Sequence, residues 1–100
     1  MAAKESQFQK KLINKVKDRF PGCIVMKNDP NYIQGIPDLM ILHNDKWAAL
    51  ECKKTKSASH QPNQDYYIDK MNNMSYAAFV YPENEQEVLD ELEQALSTEG

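Results

Sequence analysis

Three glycines in 100 residues, none of them grouped, leave no Gly-rich loop to cradle a nucleotide's phosphates, which excludes the P-loop class and gives no reason to expect a nucleotide cofactor. No apolar run approaches the roughly 20 residues that span a bilayer, and the N-terminus lacks the apolar stretch of a secretion signal. The expectation is a soluble, cytoplasmic protein with no membrane partner. Two cysteines, Cys23 and Cys52, are too few for a disulfide framework and read as free thiols in a reducing compartment. Histidine is equally scarce: His43 borders a turn and His60 lies in a basic stretch, each an ordinary surface residue with no metal-binding partner in the sequence. No serine, threonine or cysteine has a base and an orienting acid in its sequence context, so acyl transfer has no support. Internal repeats are missing as well, which removes solenoids.

What is present suffices for one modest core. A hydrophobic content of 41% over 100 residues predicts a single domain spanning residues 1–100. The net charge of −3 conceals an asymmetry: residues 1–60 carry +5 and residues 61–100 carry −8. A basic half suits approach to a polyanion, because the local potential rather than the average governs it. A solvated acidic helix at the C-terminal end accounts for the same numbers.

Periodicity supplies the elements. Phe8, Leu12, Ile13 and Val16 fall at helical spacing between Glu5 and Arg19, with Lys4, Lys10, Lys11, Lys15 and Lys17 outside that arc and Pro21-Gly22 as the stop. Glu5 lies inside the apolar arc, where an acid needs a partner unless the first turn frays. Cys23 to Met26 reads as a strand, followed by the turn-prone segment Lys27-Asn28-Asp29-Pro30-Asn31, a loop placed to meet substrate. Leu39 to Leu42 and Trp47 to Leu50 are apolar on both faces, the pattern of central strands covered by helices. Pro62 opens a second helix with Gln64, Tyr67, Ile68 and Met71 on its inward face. Gln64 either fixes a ligand there or bonds to local backbone at the helix start. Tyr76 to Tyr81 is a further strand, and Val88, Leu89, Leu92, Ala95 and Leu96 mark a last amphipathic helix. The order is αβββαβα, a mixed α/β protein.

The chemistry gathers around one hairpin. If Asn44 and Asp45 are the central residues of a two-residue turn, Asp38 faces Glu51. Opposed carboxylates roughly 5 Å apart repel unless a positive group lies between them. A divalent cation fills that role, and oxygen donors without thiolate or imidazole fit magnesium or manganese rather than zinc. Lys53, two residues beyond Glu51, projects from the same sheet face. A turn slipped to Asp45-Lys46 puts Asp38 opposite Lys53 instead and keeps the cluster. The basic run Lys53-Lys54-Thr55-Lys56-Ser57-Ala58-Ser59-His60 suits either a loop against phosphates or a merely solvated one.

Pro37-Asp38, twelve intervening residues and Glu51-Cys52-Lys53 resemble the PD-(D/E)XK nuclease signature. With Glu5, Gly35-Ile36-Pro37-Asp38 and Pro62-Asn63-Gln64 before Tyr67-Ile68, the pattern resembles more narrowly the virus-type replication-repair nuclease group over residues 5 to 82. The resemblance implies a restriction-endonuclease-like core, a central mixed sheet flanked by helices. It implies Asp38 and Glu51 as metal ligands together with the Cys52 backbone carbonyl, Lys53 acting on the attacking water, and Glu5 and Gln64 in support, Glu5 as a further candidate ligand. It implies magnesium-dependent hydrolysis of DNA, selective for branched DNA in the manner of Holliday-junction resolvases, by a homodimer acting in recombination, repair or phage replication. In a virus-encoded protein the compartment is the host cytoplasm. Lys11, Lys15, Lys27, Lys54 and Lys56 are the candidate DNA contacts.

Two other readings compete. A non-catalytic DNA-binding or scaffold protein could retain the fold, but it would gain by replacing an acid near phosphate, and the acids are intact. A simple nicking or restriction-type nuclease shares the chemistry, although no separate domain is available to read a long sequence.

Overall fold

The structure is a computed structural model that describes residues 2–97 and the side chains from Glu5 onward. Met1, residues 98–100 and the Lys4 side chain lie outside the described residues. The element order is α1 (Ala2–Arg19), β1 (Ile24–Lys27), β2 (Leu39–His43), β3 (Lys46–Cys52), α2 (Pro62–Met74), β4 (Tyr76–Val80), a short 3-10 turn (Pro82–Asn84) and α3 (Glu85–Ala95). This is the αβββαβα order expected from the periodicity. The strands form one sheet in the order β1-β2-β3-β4, antiparallel except for the parallel β3–β4 pair that α2 connects. A parallel pair requires such a crossover, because a tight turn can join only antiparallel neighbours.

The turn between β2 and β3 settles the register. Asn44 adopts φ 57, a left-handed conformation that asparagine tolerates better than most residues. The ladder pairs His43 with Lys46, Leu42 with Trp47 and Leu39 with Leu50. The turn is therefore centred on Asn44-Asp45, and the slipped alternative is excluded. β1 begins one residue later than expected, because the Cys23 N–H is used at 3.0 Å by the Phe20 carbonyl where the chain leaves α1. Gly22, at φ 90, makes that exit.

One sheet face holds the core. Leu39, Ile41, Ala48, Leu50, Cys52 and Val80 pack beneath Leu12, Val16 and Phe20 at the α1 end and Val88, Leu89, Leu92 and Leu96 at the α3 end. The alternation of strand side chains sends Ala49, Glu51, Ala77 and Phe79 to the opposite face, where α2 packs against β3 and β4. Helices therefore flank both faces, as expected, with α2 lying over β3 and β4 rather than over β1. α2 buries no residue completely, so Gln64, Tyr67, Ile68 and Met71 are its half-buried inward face. Over β1 the opposite face is open, with Ile24 and Met26 exposed. The apolar pattern of β2 alone does not distinguish a face covered by a helix from one left half-covered.

The acidic α3 is not simply solvated. Arg19 bonds Asp90 and Glu93, each at 2.7 Å, and Lys15 bonds Glu85 at 2.7 Å, tying α1 to α3 across the top of the core. Exposed pairs of this kind contribute little stability, but they consume two cations of the basic half.

Candidate active site

Asp38 stands one step before the Leu39–Leu50 pair of the ladder, so the hairpin brings it opposite Glu51 as the turn predicted. The two acids are interlocked through the main chain. The Cys52 N–H donates to Asp38 Oδ2 at 3.0 Å, and the Asp38 N–H donates to Glu51 Oε1 at 3.2 Å. Asn28, which the sequence did not single out, fixes the approach: its N–H donates to the Asp38 carbonyl and its side chain to the Pro37 carbonyl, both at 2.8 Å. Both contacts tie the end of β1 to the entry of β2, a long-range closure with no local signature.

Gln64 bonds local backbone at the helix start and, through the same amide, two side chains of the site. Its Oε1 accepts the Gln61 N–H at 3.0 Å, closing the first turn of α2, and also accepts Lys53 Nζ at 2.8 Å. Its Nε2 donates to Glu51 Oε2 at 3.0 Å. Lys53 is further held by the Ser59 carbonyl at 3.1 Å and lies 3.9 Å from Glu51 Oε2. Glu51 and Lys53 are only 4% and 8% exposed, so an acid and an amine are both taken out of water at considerable cost. The hydrogen bonds orient them and leave the excess acid uncompensated.

The electrostatics follow. Burial raises the Glu51 carboxyl to about 8, with the neighbouring Asp38 charge adding to the effect. Asp38 is raised too, first by burial and then by Glu5, against the lowering influence of the Cys52 N–H and Lys53. Glu5 thus reaches the pair through its field. Among the described residues no three His, Cys, Asp or Glu side chains gather closely enough to hold an ion by themselves, so the acid core is the Asp38–Glu51 pair with Glu5 outside it. Two carboxylates suit magnesium, which keeps several waters and binds through one or two carboxylates plus phosphate oxygens rather than in an all-protein cage. The donor set therefore fits a hard cation, and the two raised carboxyls are the charge that such a cation compensates.

The Cys52 thiol is fully buried in the core cluster and lies within reach of Gln9 on α1, on the sheet face away from Glu51, as strand alternation requires. Burial pushes it far above the ordinary thiol range, and the protein gains no nucleophile from it. His43 packs against Phe20 at 5.9 Å, away from the acids. His60 is more engaged than its sequence position suggested: it stacks on Phe79 at 3.9 Å and bonds Asp65 at 3.0 Å. That contact anchors the basic loop to β4 and α2, next to the Ser59 carbonyl that holds Lys53. Lys27, Lys54 and Lys56 are exposed on the segments adjoining the acids and Lys11 is exposed on α1, whereas Lys15 is occupied by Glu85.

The α/β domain that carries this site, a mixed four-stranded sheet between helices, has counterparts in fold among solved structures. One described as a "VRR_NUC domain protein" superposes with a TM-score of 0.65 at 17% identity, covering 92% of this chain and 87% of its own. Another, described as a "VRR_NUC domain", gives 0.62 at 23% identity over 94% of this chain and 98% of the other. No protein-family model matches the sequence, and no curated protein matches it significantly. The chain has the fold of the VRR_NUC domain.

Proposed function

We propose that this protein is a magnesium-dependent endodeoxyribonuclease, with manganese able to substitute, which hydrolyses phosphodiester bonds of branched DNA such as four-way junctions. One observation supports this above the others: Asp38 and Glu51 meet at a hairpin with Lys53 and Gln64 bonded to the same carboxylate network. The VRR_NUC names of the structural neighbours support the nuclease part of this reading. A non-catalytic DNA binder has no use for a buried acid pair where phosphate must approach.

Asp38, Glu51 and the Cys52 carbonyl would hold the cation. When bound, it supplies Lewis acidity at a phosphoryl oxygen and positive charge beside the leaving 3′ oxygen. Lys53, fixed by Gln64 and Ser59, places a further positive charge at the acid pair, where it orients the attacking water and offsets charge developing on the phosphoryl oxygens. Gln64 keeps Glu51 and Lys53 in register. Water adds to phosphorus in line with the departing oxygen, the P–O3′ bond breaks, and the 3′ oxygen leaves as a hydroxyl. A homodimer would let two such sites address both strands of a junction, in the cytoplasm, or the host's cytoplasm if the gene is viral.

The test is a panel of labelled junction, flap, duplex and single-stranded DNAs incubated with magnesium, manganese or chelator. Cleavage that requires the metal and favours the junction is expected. Cleavage undiminished by chelator would reject the metal site, and equal cutting of every substrate would reject the selectivity.

The basic loop carries a separate expectation. In the salt dependence of DNA binding, Lys54→Ala and Lys56→Ala should each lower the log–log slope by about 1. Lys15→Ala should leave it unchanged, since Glu85 already takes that charge. A lowered slope in the Lys15 variant alone would move the interface from the loop to α1.

A further inference from the structure

Beside the acid pair, the loop that follows β1 and the first turn of α2 enclose a cavity of about 270 Å³ lined by Pro30, Gln34, Gly35, Gln61, Asn63 and Gln64. It adjoins the site through one side chain, because the Gln64 that lines it is the Gln64 that bonds Glu51 and Lys53. The lining is four carboxamides, a proline and a glycine, with no charge. A phosphate subsite would bring cations. Neutral groups that both donate and accept are suited to the edge of a base, and the volume lies just below the range that holds drug-sized ligands.

The loop forming one wall is ordered by its own bonds. Asp29 Oδ1 accepts the Asn31 N–H at 2.9 Å, and the Asp29 carbonyl accepts those of Tyr32 and Ile33 at 3.1 and 3.3 Å. Asn63 Nδ2 donates to the Gln34 carbonyl at 3.3 Å, fastening the two walls together. Tyr32, between the lining residues Pro30 and Gln34, is nevertheless 85% exposed. An aromatic ring held in water on a fixed loop contributes nothing to the core, and its open face is what an unstacked base packs against.

We propose that this cavity is a subsite for one unpaired nucleobase adjoining the scissile phosphate, with Tyr32 stacking at its rim and Gln34 and Asn63 bonding the base edge. The proposal rests on the nuclease reading and adds a physical source of structure selectivity. A base must leave the duplex to enter, and unstacking is cheapest where pairing is already broken, at junctions, flaps and mismatches.

The experiment crosses protein variants with abasic substrates. Flap and junction DNAs are made with an abasic residue on either side of the scissile phosphate in turn, and kcat/KM is measured with magnesium for wild type, Tyr32→Ala, Tyr32→Phe and Gln34→Ala. On the intact substrate, Tyr32→Ala should lose about 10-fold, and Tyr32→Phe, which keeps the stacking ring, should recover most of that loss. One abasic position should cost wild type a similar factor while costing Tyr32→Ala nothing more, because ring and base form a single contact. Gln34→Ala, which keeps the backbone carbonyl that Asn63 needs, should fall between. Wild-type cleavage indifferent to both abasic positions would remove the subsite and leave the nuclease reading standing. Losses that multiply instead of overlapping would also overturn it. Absence of any metal-dependent cleavage by wild type would overturn the nuclease reading and the subsite with it.

Discussion

Asp38→Asn should reduce magnesium-supported cleavage by about 10³-fold, the upper end of what removing one preorganised electrostatic group costs a hydrolase, while DNA binding and folding persist. Asparagine keeps an oxygen for the Cys52 N–H at the position of Asp38 Oδ2, so the hairpin loses no hydrogen bond. It removes one of two carboxylates that burial above all holds over their ordinary range, with the Glu5 charge adding at Asp38 and the Asp38 charge adding at Glu51. The metal-free variant is therefore expected to melt no lower than wild type. Added magnesium separates the two proteins. At tenfold excess over its dissociation constant a cation bound only by the folded state stabilises by about 1.4 kcal/mol, a shift wild type should show and Asp38→Asn should lack. Gln64→Ala should cost less, about 10- to 100-fold, as loss of a group that orients a ligand rather than provides one. Cleavage preserved in Asp38→Asn, or an identical magnesium shift in both proteins, would remove Asp38 from the site.

The acid pair was legible because strand geometry is periodic and the turn short. With Asn44-Asp45 fixed, the facing of Asp38 and Glu51 follows by counting, and the observed ladder keeps that count down to Leu39 and Leu50. The helices were legible for the same reason, since Phe8, Leu12 and Val16 repeat at the helical period and meet the core. What stayed hidden were closures between distant segments. Asn28 on the Pro37 and Asp38 carbonyls, the Ser59 carbonyl on Lys53, and His60 between Phe79 and Asp65 each depend on where a loop returns in space. No local pattern encodes that return. Glu5 shows the intermediate case: its place on the apolar arc signalled a partner, and its field does reach Asp38 and Glu51, but a helical period does not give a distance across to a sheet. An apolar strand pattern likewise states what a face can bury and not how far the covering helix reaches: α2 lies over β3 and β4, and Ile24 and Met26 of β1 stay exposed.

One closure could have been suspected from a glycine, and it carries the second large effect. Gly35→Ala should destabilise the protein by roughly 2–5 kcal/mol, combining a left-handed backbone cost of about 1–2 kcal/mol with overpacking of about 1–3 kcal/mol. At φ 91 a side chain is strained by itself, and an added Cβ would stand 2.6 Å from the Asn63 Cβ and 2.8 Å from its backbone carbon. Gly22→Ala is the control. Its φ is nearly the same at 90, but nothing lies within 4 Å of the added carbon, so only the backbone cost applies. The excess loss in Gly35→Ala over Gly22→Ala therefore measures the contact with α2, and thermal melts should place the Gly35 variant at least about 5 °C below the Gly22 variant. Asn63→Gly in the Gly35→Ala background removes the nearest clashing atom and should recover part of that excess. Activity should follow the contact and not the melt. Gly35 leads through Ile36 and Pro37 to Asp38, while Asn63 precedes the Gln64 that holds Glu51 and Lys53, so separating the two walls pulls the acid pair from its orienting amide. Gly22→Ala, at the far end of α1's exit, should cleave DNA normally below its melting range. If both glycine variants lose equal stability and equal activity, the close approach of Gly35 to Asn63 has no part in setting the site.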